Sequence, residues 1–191
     1  MYLNNQFYNK YLRSFIKLIK TDTKLLSDLD KVITVFYKIR NLKKKIIICG
    51  NGGSAAIASH VSVDLMKNLK IQSIPLSDPS LITCFSNDYS QKNWMKKAIE
   101  HYYSKGDLVI IISSSGMSQN IVEAAKFCIS KNIELISFSG MRKKNKLNII
   151  NKKGLNFWVN SMIYNQIEMA HLYLILVLID KSRLMIKKNK L

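Results

Sequence analysis

Lys45-Ile46-Ile47-Ile48-Cys49-Gly50-Asn51-Gly52-Gly53-Ser54-Ala55-Ala56 is the stretch whose reading decides the fold. An apolar, mainly β-branched run ends abruptly in Gly-Asn-Gly-Gly-Ser, and small residues then lead into a helical pattern. The expected order is strand, tight turn and helix N-terminus. Such a turn offers a ligand oxyanion several backbone N–H groups, the positive end of a helix dipole and two short polar side chains. Glycine lets the backbone approach where a Cβ would collide. The chemistry points to a phosphate as the guest of this turn, Gly50 to Ser54.

Working outward, residues 6–40 carry apolar positions at helical spacing (Phe7, Tyr11, Phe15, Leu18, then Leu25, Leu29, Val32, Ile33 and Phe36), interrupted by a cap-like Thr21-Asp22-Thr23. Two amphipathic helices therefore precede the strand at Lys45–Cys49. The pattern continues with a helix from about Ser54 to Asn68, a short strand around Ile71–Pro75 and a helical segment from Leu81 that Asn87-Asp88-Tyr89 is expected to break. A helix over Trp94–Tyr103 follows. Leu108–Ile112 is an all-apolar run of the kind buried on both faces of a sheet. It ends in Ser113-Ser114-Ser115-Gly116-Met117-Ser118, ahead of a helix from about Asn120 to Lys131. Strands at Glu134–Ser139 and Leu155–Val159 and a terminal helix from Tyr164 to Leu184 complete the order. Strands alternating with helices imply an α/β fold, a three-layer α-β-α sandwich around a central parallel sheet, flavodoxin-like, with an N-terminal helical extension. Ligands in that architecture sit beyond the carboxyl ends of the strands, where both Gly/Ser turns fall. With no linker and no repeat, residues 1–191 are expected to form a single domain, with helices 1–42 used in oligomer packing and 43–184 as the core.

Composition narrows the partners. The chain has 191 residues, is 48% apolar, and carries only 2 Pro and 7 Gly, so a packed globule is expected. No apolar run reaches the ~18 residues of a membrane span, and the N-terminal segment has no uninterrupted apolar stretch of the signal-peptide kind. Cys49, Cys84 and Cys128 are scattered in apolar contexts and read as small core residues of a cytoplasmic protein. The net charge is +18. Lys, Ile and Asn are all heavily used, as in chains from AT-rich genomes, where Lys fills solvated positions. The basic clusters at Lys43–Lys45, Arg142–Lys146 and Lys187–Lys190 have no interleaved aromatics, so a nucleic-acid face is not specifically supported.

The first turn matches neither the dinucleotide fingerprint nor the Walker pattern, which would place a Lys in it. Its strength lies in the second turn, Ser113–Ser118, whose hydroxyls donate to and accept from phosphate or sugar oxygens. His60 and Asp64 lie four apart on the helix leaving the first turn, and Glu168 and His171 three apart on the terminal helix. Each pair shares a helix face. Together they suit general acid–base work or a divalent metal. His101 has no comparable partner and reads as a surface or packing residue.

Gly50-Asn51-Gly52-Gly53-Ser54-Ala55, His60 four before an acid, Asn87-Asp88-Tyr89 and Ser113-Ser114-Ser115-Gly116-Met117-Ser118-Gln119-Asn120, in that order, resemble the sugar isomerase (SIS) domain, specifically its phosphoheptose isomerase branch. The resemblance runs from about residue 30 to 180. It implies conversion of sedoheptulose 7-phosphate, or a related ketose phosphate, into a heptose 7-phosphate for lipopolysaccharide or capsule, through an enediol. By position it implies Ser54, Ser113, Ser115 and Ser118 on the phosphate, with Ser114 and the glycines in the same turns, and Asn51 and Asp88 on the sugar chain. It further implies a catalytic base at Asp64 or Glu168, an acid at His171, a zinc site drawing on His60, Asp64 and Glu168, and a homo-oligomer, a tetramer by analogy. The sequence departs from the family in three places. Asp64 replaces a Glu, Glu168 stands where a Gln is expected, and the last His ligand falls at Leu176. These departures leave three readings open: a rearranged site, catalysis without metal, or a non-catalytic SIS module that binds a phosphosugar or a replication initiator.

Overall fold

A computed structural model describes residues 5–188; Asn189 and Lys190 of the terminal basic cluster fall outside the described residues. Its elements in chain order are α1 (Asn5–Ile19), α2 (Thr23–Asn41), β1 (Lys45–Cys49), α3 (Gly53–Asp64), β2 (Gln72–Pro75), α4 (Pro79–Tyr89), α5 (Trp94–Tyr102), β3 (Leu108–Ser113), α6 (Gln119–Ser130), β4 (Glu134–Ser139), α7 (Lys146–Ile150), β5 (Leu155–Trp158) and α8 (Tyr164–Lys187). The five strands form one sheet in the order β2-β1-β3-β4-β5, with every pairing parallel.

The alternation within each strand explains the layers. Ile46 and Ile48 of β1, with Leu108, Ile110 and Ile112 of β3, pack on one side against α2, α3 and α8. Ile47 and Cys49, with Val109 and Ile111, pack on the other against α5, α6 and α7. Successive side chains of a strand point to opposite faces, so a run that is apolar at every position requires a helical layer on both. Burying each of these Ile or Val side chains contributes roughly 1.5–3 kcal/mol.

Asp22 caps α2 by accepting from the Leu25 N–H at 2.7 Å, as the Thr21–Thr23 break implied. Asp78 does the same for α4 through Leu81 N at 2.9 Å. The buried carboxylate of Asp107 accepts from the backbone N–H groups of Lys45 (3.1 Å) and Ser104 (2.7 Å) and pairs with the Lys45 ammonium, fastening the start of β1 to the turn before β3.

Several expectations need correction. The helix after the first turn is α-helical only to Asp64; Leu65–Leu69 widens into a π turn that closes on Lys70 in the left-handed region (φ 58°). Asn87-Asp88-Tyr89 does not break the preceding helix, because α4 runs through all three and ends at Ser90 with φ 77°. The basic turn after β4 contains a short helix, α7, capped by the Asn145 side chain. The N-terminal helices differ from each other. The apolar face of α2 (Val32, Ile33, Phe36, Ile39) is buried in the chain's own core. No residue of α1 is buried, although Phe15, Leu18 and Ile19 lean on the start of α8. Cys49 and Cys128 are buried, but Cys84 is exposed on α4.

Candidate active site

Both Gly/Ser turns lie at the carboxyl ends of adjacent strands, β1 and β3. The first passes through Gly52 with φ +53°, a conformation that costs L side chains strain, into the N-terminus of α3. Two of its N–H groups are turned inward: Ser54 N donates to Asn51 O and Ala55 N to Gly52 O, both at 3.0 Å. The Ser54 side chain is buried.

The second turn is built differently. Ser113 Oγ accepts from Gly116 N at 3.1 Å and Ser115 Oγ from Met117 N at 3.2 Å, so these hydroxyls shape the loop while keeping a proton to donate. Ser118 is the N-cap of α6, yet its hydroxyl makes no capping bond. The first-turn N–H groups of a helix have no carbonyl within the helix to meet. Ser114 Oγ is buried without a hydrogen-bond partner, alone among the side chains of the two turns. An orphaned buried hydroxyl costs on the order of 1–3 kcal/mol, a penalty that a bound oxyanion would relieve.

The turns are tied to each other. Asn51 Nδ2 donates to Asn120 Oδ1 at 3.0 Å, and Asn120 Nδ2 donates back to Asn51 Oδ1 at 2.8 Å. Glu168, near the start of α8, brings its carboxylate against Gly53, the first residue of α3. A Cβ built on Gly53 would lie 2.7 Å from its carboxylate carbon. Glu168 is thus the predicted acid–base group that the structure sets beside the first turn.

His60 and Asp64 pair as their spacing implied, Nε2 to Oδ2 at 3.4 Å, on a half-exposed face of α3. His171 differs from its expected role. The ring is fully buried, edge-on to Phe138, with Nε2 at 3.0 Å from the carbonyl of Ser139. That contact makes Nε2 the protonated nitrogen, and Nδ1 is left without a partner. Burial drives the His171 pKa down to about 4 from 6.5, against a smaller upward pull from the Ser139 carbonyl. A neutral ring inside the core is not placed to protonate a substrate. The i,i+3 spacing explains the split: three residues turn about 300°, so the two side chains diverge by about 60°. Glu168 then meets α3, and His171 meets the sheet.

The donors implied for zinc are spread along α3 and α8. Among the described residues no three His, Cys, Asp or Glu side chains converge as a metal site. Of the residues the resemblance assigns to it, His60 and Asp64 pair as two donors, while the Glu168 carboxylate lies against Gly53 at the other end of α3, so the set does not close on one ion within a single chain. Asp88 sits on the exposed last turn of α4, bonded to Asn87 Nδ2 at 3.0 Å and to Cys84 Sγ at 3.6 Å, with no hydrogen bond to either Gly/Ser turn. The sulfhydryl donates to the Asp88 carboxylate, which raises the Cys84 pKa. His101 is exposed and sits edge-on to Phe85 with ring centroids 5.5 Å apart, as expected of a surface or packing residue.

Two site residues escaped the sequence reading. Asn120 stands in the quoted motif without a role, although an Asn in the first turn of a helix signals a side chain with local hydrogen bonds to make. Asn145 braces the second turn from beneath: a Cβ on Gly116 would lie 2.5 Å from its Cγ, and its Nδ2 donates to Gly140 O at 3.2 Å and Arg142 O at 2.9 Å. A cavity of about 1120 Å³ between the α1–α2 turn and the open edge of β5 contains none of the predicted site residues.

Residues 6–140 match the family model described as the SIS domain. A phosphoheptose isomerase from Shewanella denitrificans is 33% identical over 143 residues, 72% of this chain and 73% of that protein. The solved phosphoheptose isomerases of Neisseria gonorrhoeae and Francisella tularensis each superpose with a TM-score of 0.84, at 23% and 24% identity, over 94% of this chain and 99% and 98% of theirs. At that identity the two structures speak for the fold.

Proposed function

The chain belongs to the SIS domain family, in its phosphoheptose isomerase branch, and on that basis we propose that it is an isomerase interconverting sedoheptulose 7-phosphate and heptose 7-phosphate. The heptose would serve lipopolysaccharide or capsule synthesis. The observation that carries the reading is the second turn. It combines a buried unpartnered hydroxyl (Ser114), a free capping hydroxyl (Ser118) and open helix N–H groups at one strand end, tied to the first turn by two amide hydrogen bonds.

In this proposal Ser113, Ser114, Ser115 and Ser118, with Ser54 across the gap, hold the phosphate. The Glu168 carboxylate, beside the first turn, is the base that carries a proton between C1 and C2. The acid is His60, oriented by Asp64, in place of buried His171. Seven residues along α3 from Gly53, at 1.5 Å each, put His60 about 10 Å down the helix, a distance suited to the far end of a seven-carbon chain. Asp88, exposed on the last turn of α4, would contact the sugar chain, as the resemblance implies. No step is assigned to a metal.

We further propose a cytoplasmic homo-oligomer, with the tetramer as the expected size. Supporting it are the unburied α1, whose Phe7, Tyr8, Leu12 and Ile16 are exposed, and the absence among the described residues of any helix long and apolar enough to cross a membrane. Turnover of sedoheptulose 7-phosphate tests the function. Glu168→Gln should lower kcat by about 10²- to 10⁴-fold, the range for loss of a general base. No turnover by the unmodified chain would overturn the proposal. It would favour a non-catalytic phosphosugar-binding module, the reading that burial of His171 would then fit.

A further inference from the structure

Asn51 and Asn120 are 69 positions apart, yet their side-chain amides face each other in a closed two-bond pair, 2.8 and 3.0 Å. The β1–β3 pairing ends at Cys49 and Ile111, so beyond those residues the two strands are no longer held to each other by the sheet. Across this gap the two turns share only the amide pair among the hydrogen bonds of the described residues. Asn120 is buried and lies in the first turn of α6, beside the N–H groups that point at the second turn's ligand. Asn51 is exposed at the tip of the first turn. Each amide has one carbonyl oxygen and two N–H groups. The pair therefore engages both carbonyls and one N–H from each side, leaving Asn51 a single N–H for a substrate.

We infer that Asn120 is a positioning residue: through Asn51 it sets the separation of the two turns, so that Ser54 on one and Ser118 on the other meet the same phosphate. The inference rests on the phosphosugar reading of the site. Asn120 touches no reacting atom, and its effect is on binding. An unpaired loop end has to be ordered each time the ligand arrives, and that entropy cost weakens the complex.

A double-mutant cycle tests it, with inorganic phosphate as the probe and titration calorimetry as the readout. Asn51→Ala and Asn120→Ala should each weaken phosphate binding about tenfold, and the double variant should also be about tenfold weaker, because each single change already breaks the whole pair. In Asn120→Ala, KM for sedoheptulose 7-phosphate should rise by the same factor, with kcat within about threefold of the unmodified protein. A general loss of fold would lower kcat and the unfolding midpoint instead. Asn120→Asp, which keeps the shape but sets a carboxylate oxygen against Asn51 Oδ1, should bind phosphate more weakly than Asn120→Ala; it also covers failure of the alanine variant to fold. Effects that multiply to about a hundredfold in the double variant, or an Asn120→Ala protein that binds phosphate normally, would overturn the inference alone. An unmodified protein that does not bind phosphate would overturn the reading beneath it as well.

Discussion

Replacing Gly53 by Ala adds one methyl group where the structure has room for none. Its Cβ would stand 2.7 Å from the Glu168 carboxylate carbon and from Oε1, well inside van der Waals contact. The obstacle is the far end of a flexible side chain, so the backbone can stay and the carboxylate must go. Gly53 has no left-handed φ, in contrast to Gly52 at +53°, and it opens α3, where Ala is the better helix former by up to about 1 kcal/mol. Stability should therefore change by no more than about 1 kcal/mol in either direction, read from urea unfolding. Relieving the clash requires the carboxylate to retreat by roughly 1 Å, and a displacement of that size in a reacting group can cost on the order of 10²-fold in rate. The expected result is kcat for sedoheptulose 7-phosphate down about a hundredfold, with KM within about threefold, since the serine turn after β3 is untouched. Adding Glu168→Gln to Gly53→Ala should cost much less than it does in the unmodified chain. A Gly53→Ala enzyme with normal kcat would refute the placement of Glu168 as the base.

Other consequences follow from burial and charge. Because the folded state lowers the His171 pKa to about 4, it holds this ring neutral where the unfolded chain, at 6.5, takes up a proton. The resulting stability is whole above about pH 6.5 and is lost as pH falls toward 4, about 3 kcal/mol in all. His171→Gln, which keeps a donor for Ser139 O, should flatten that loss in urea titrations at pH 7 and pH 4.5. Asp107→Ala removes the buried carboxylate that takes the part-buried Lys45 and Ser104 N–H groups and the Lys45 ammonium, and should cost about 2 kcal/mol in chemical unfolding, with little effect on phosphate affinity.

Much of this architecture was legible because it is written in local chemistry. An Ile run flanked by Lys and Gly has one reading as a strand, and β1 occupies Lys45–Cys49 as expected. The serine run after Ile112 marks the second turn just as clearly, because only a loop or cap uses four hydroxyls in six residues. The errors fall where tertiary contacts decide. Asn87 and Asp88 are poor helix formers, but packing of Phe85 and its neighbours against the core carries α4 past them. Spacing placed Glu168 and His171 on one broad helix face; it could not show that the sheet lies under one and α3 beside the other. Asn120 was invisible as a tie because its partner is 69 positions away. The π turn at Leu65–Leu69 and the short α7 carry no signal stronger than the long helices beside them.

The central claim is that Glu168 moves a proton between adjacent carbons of a phosphorylated ketose held by the two turns. Incubation of the protein with sedoheptulose 7-phosphate in deuterated water, followed by proton NMR, tests it most directly. An enediol exchanges its carbon-bound proton with solvent, so deuterium should enter at C1 of the ketose and C2 of the aldose, and Glu168→Gln should abolish its entry. Heptose phosphate formed with no solvent deuterium and at an undiminished rate in Glu168→Gln, or no product at all despite saturable phosphate binding, would contradict the account.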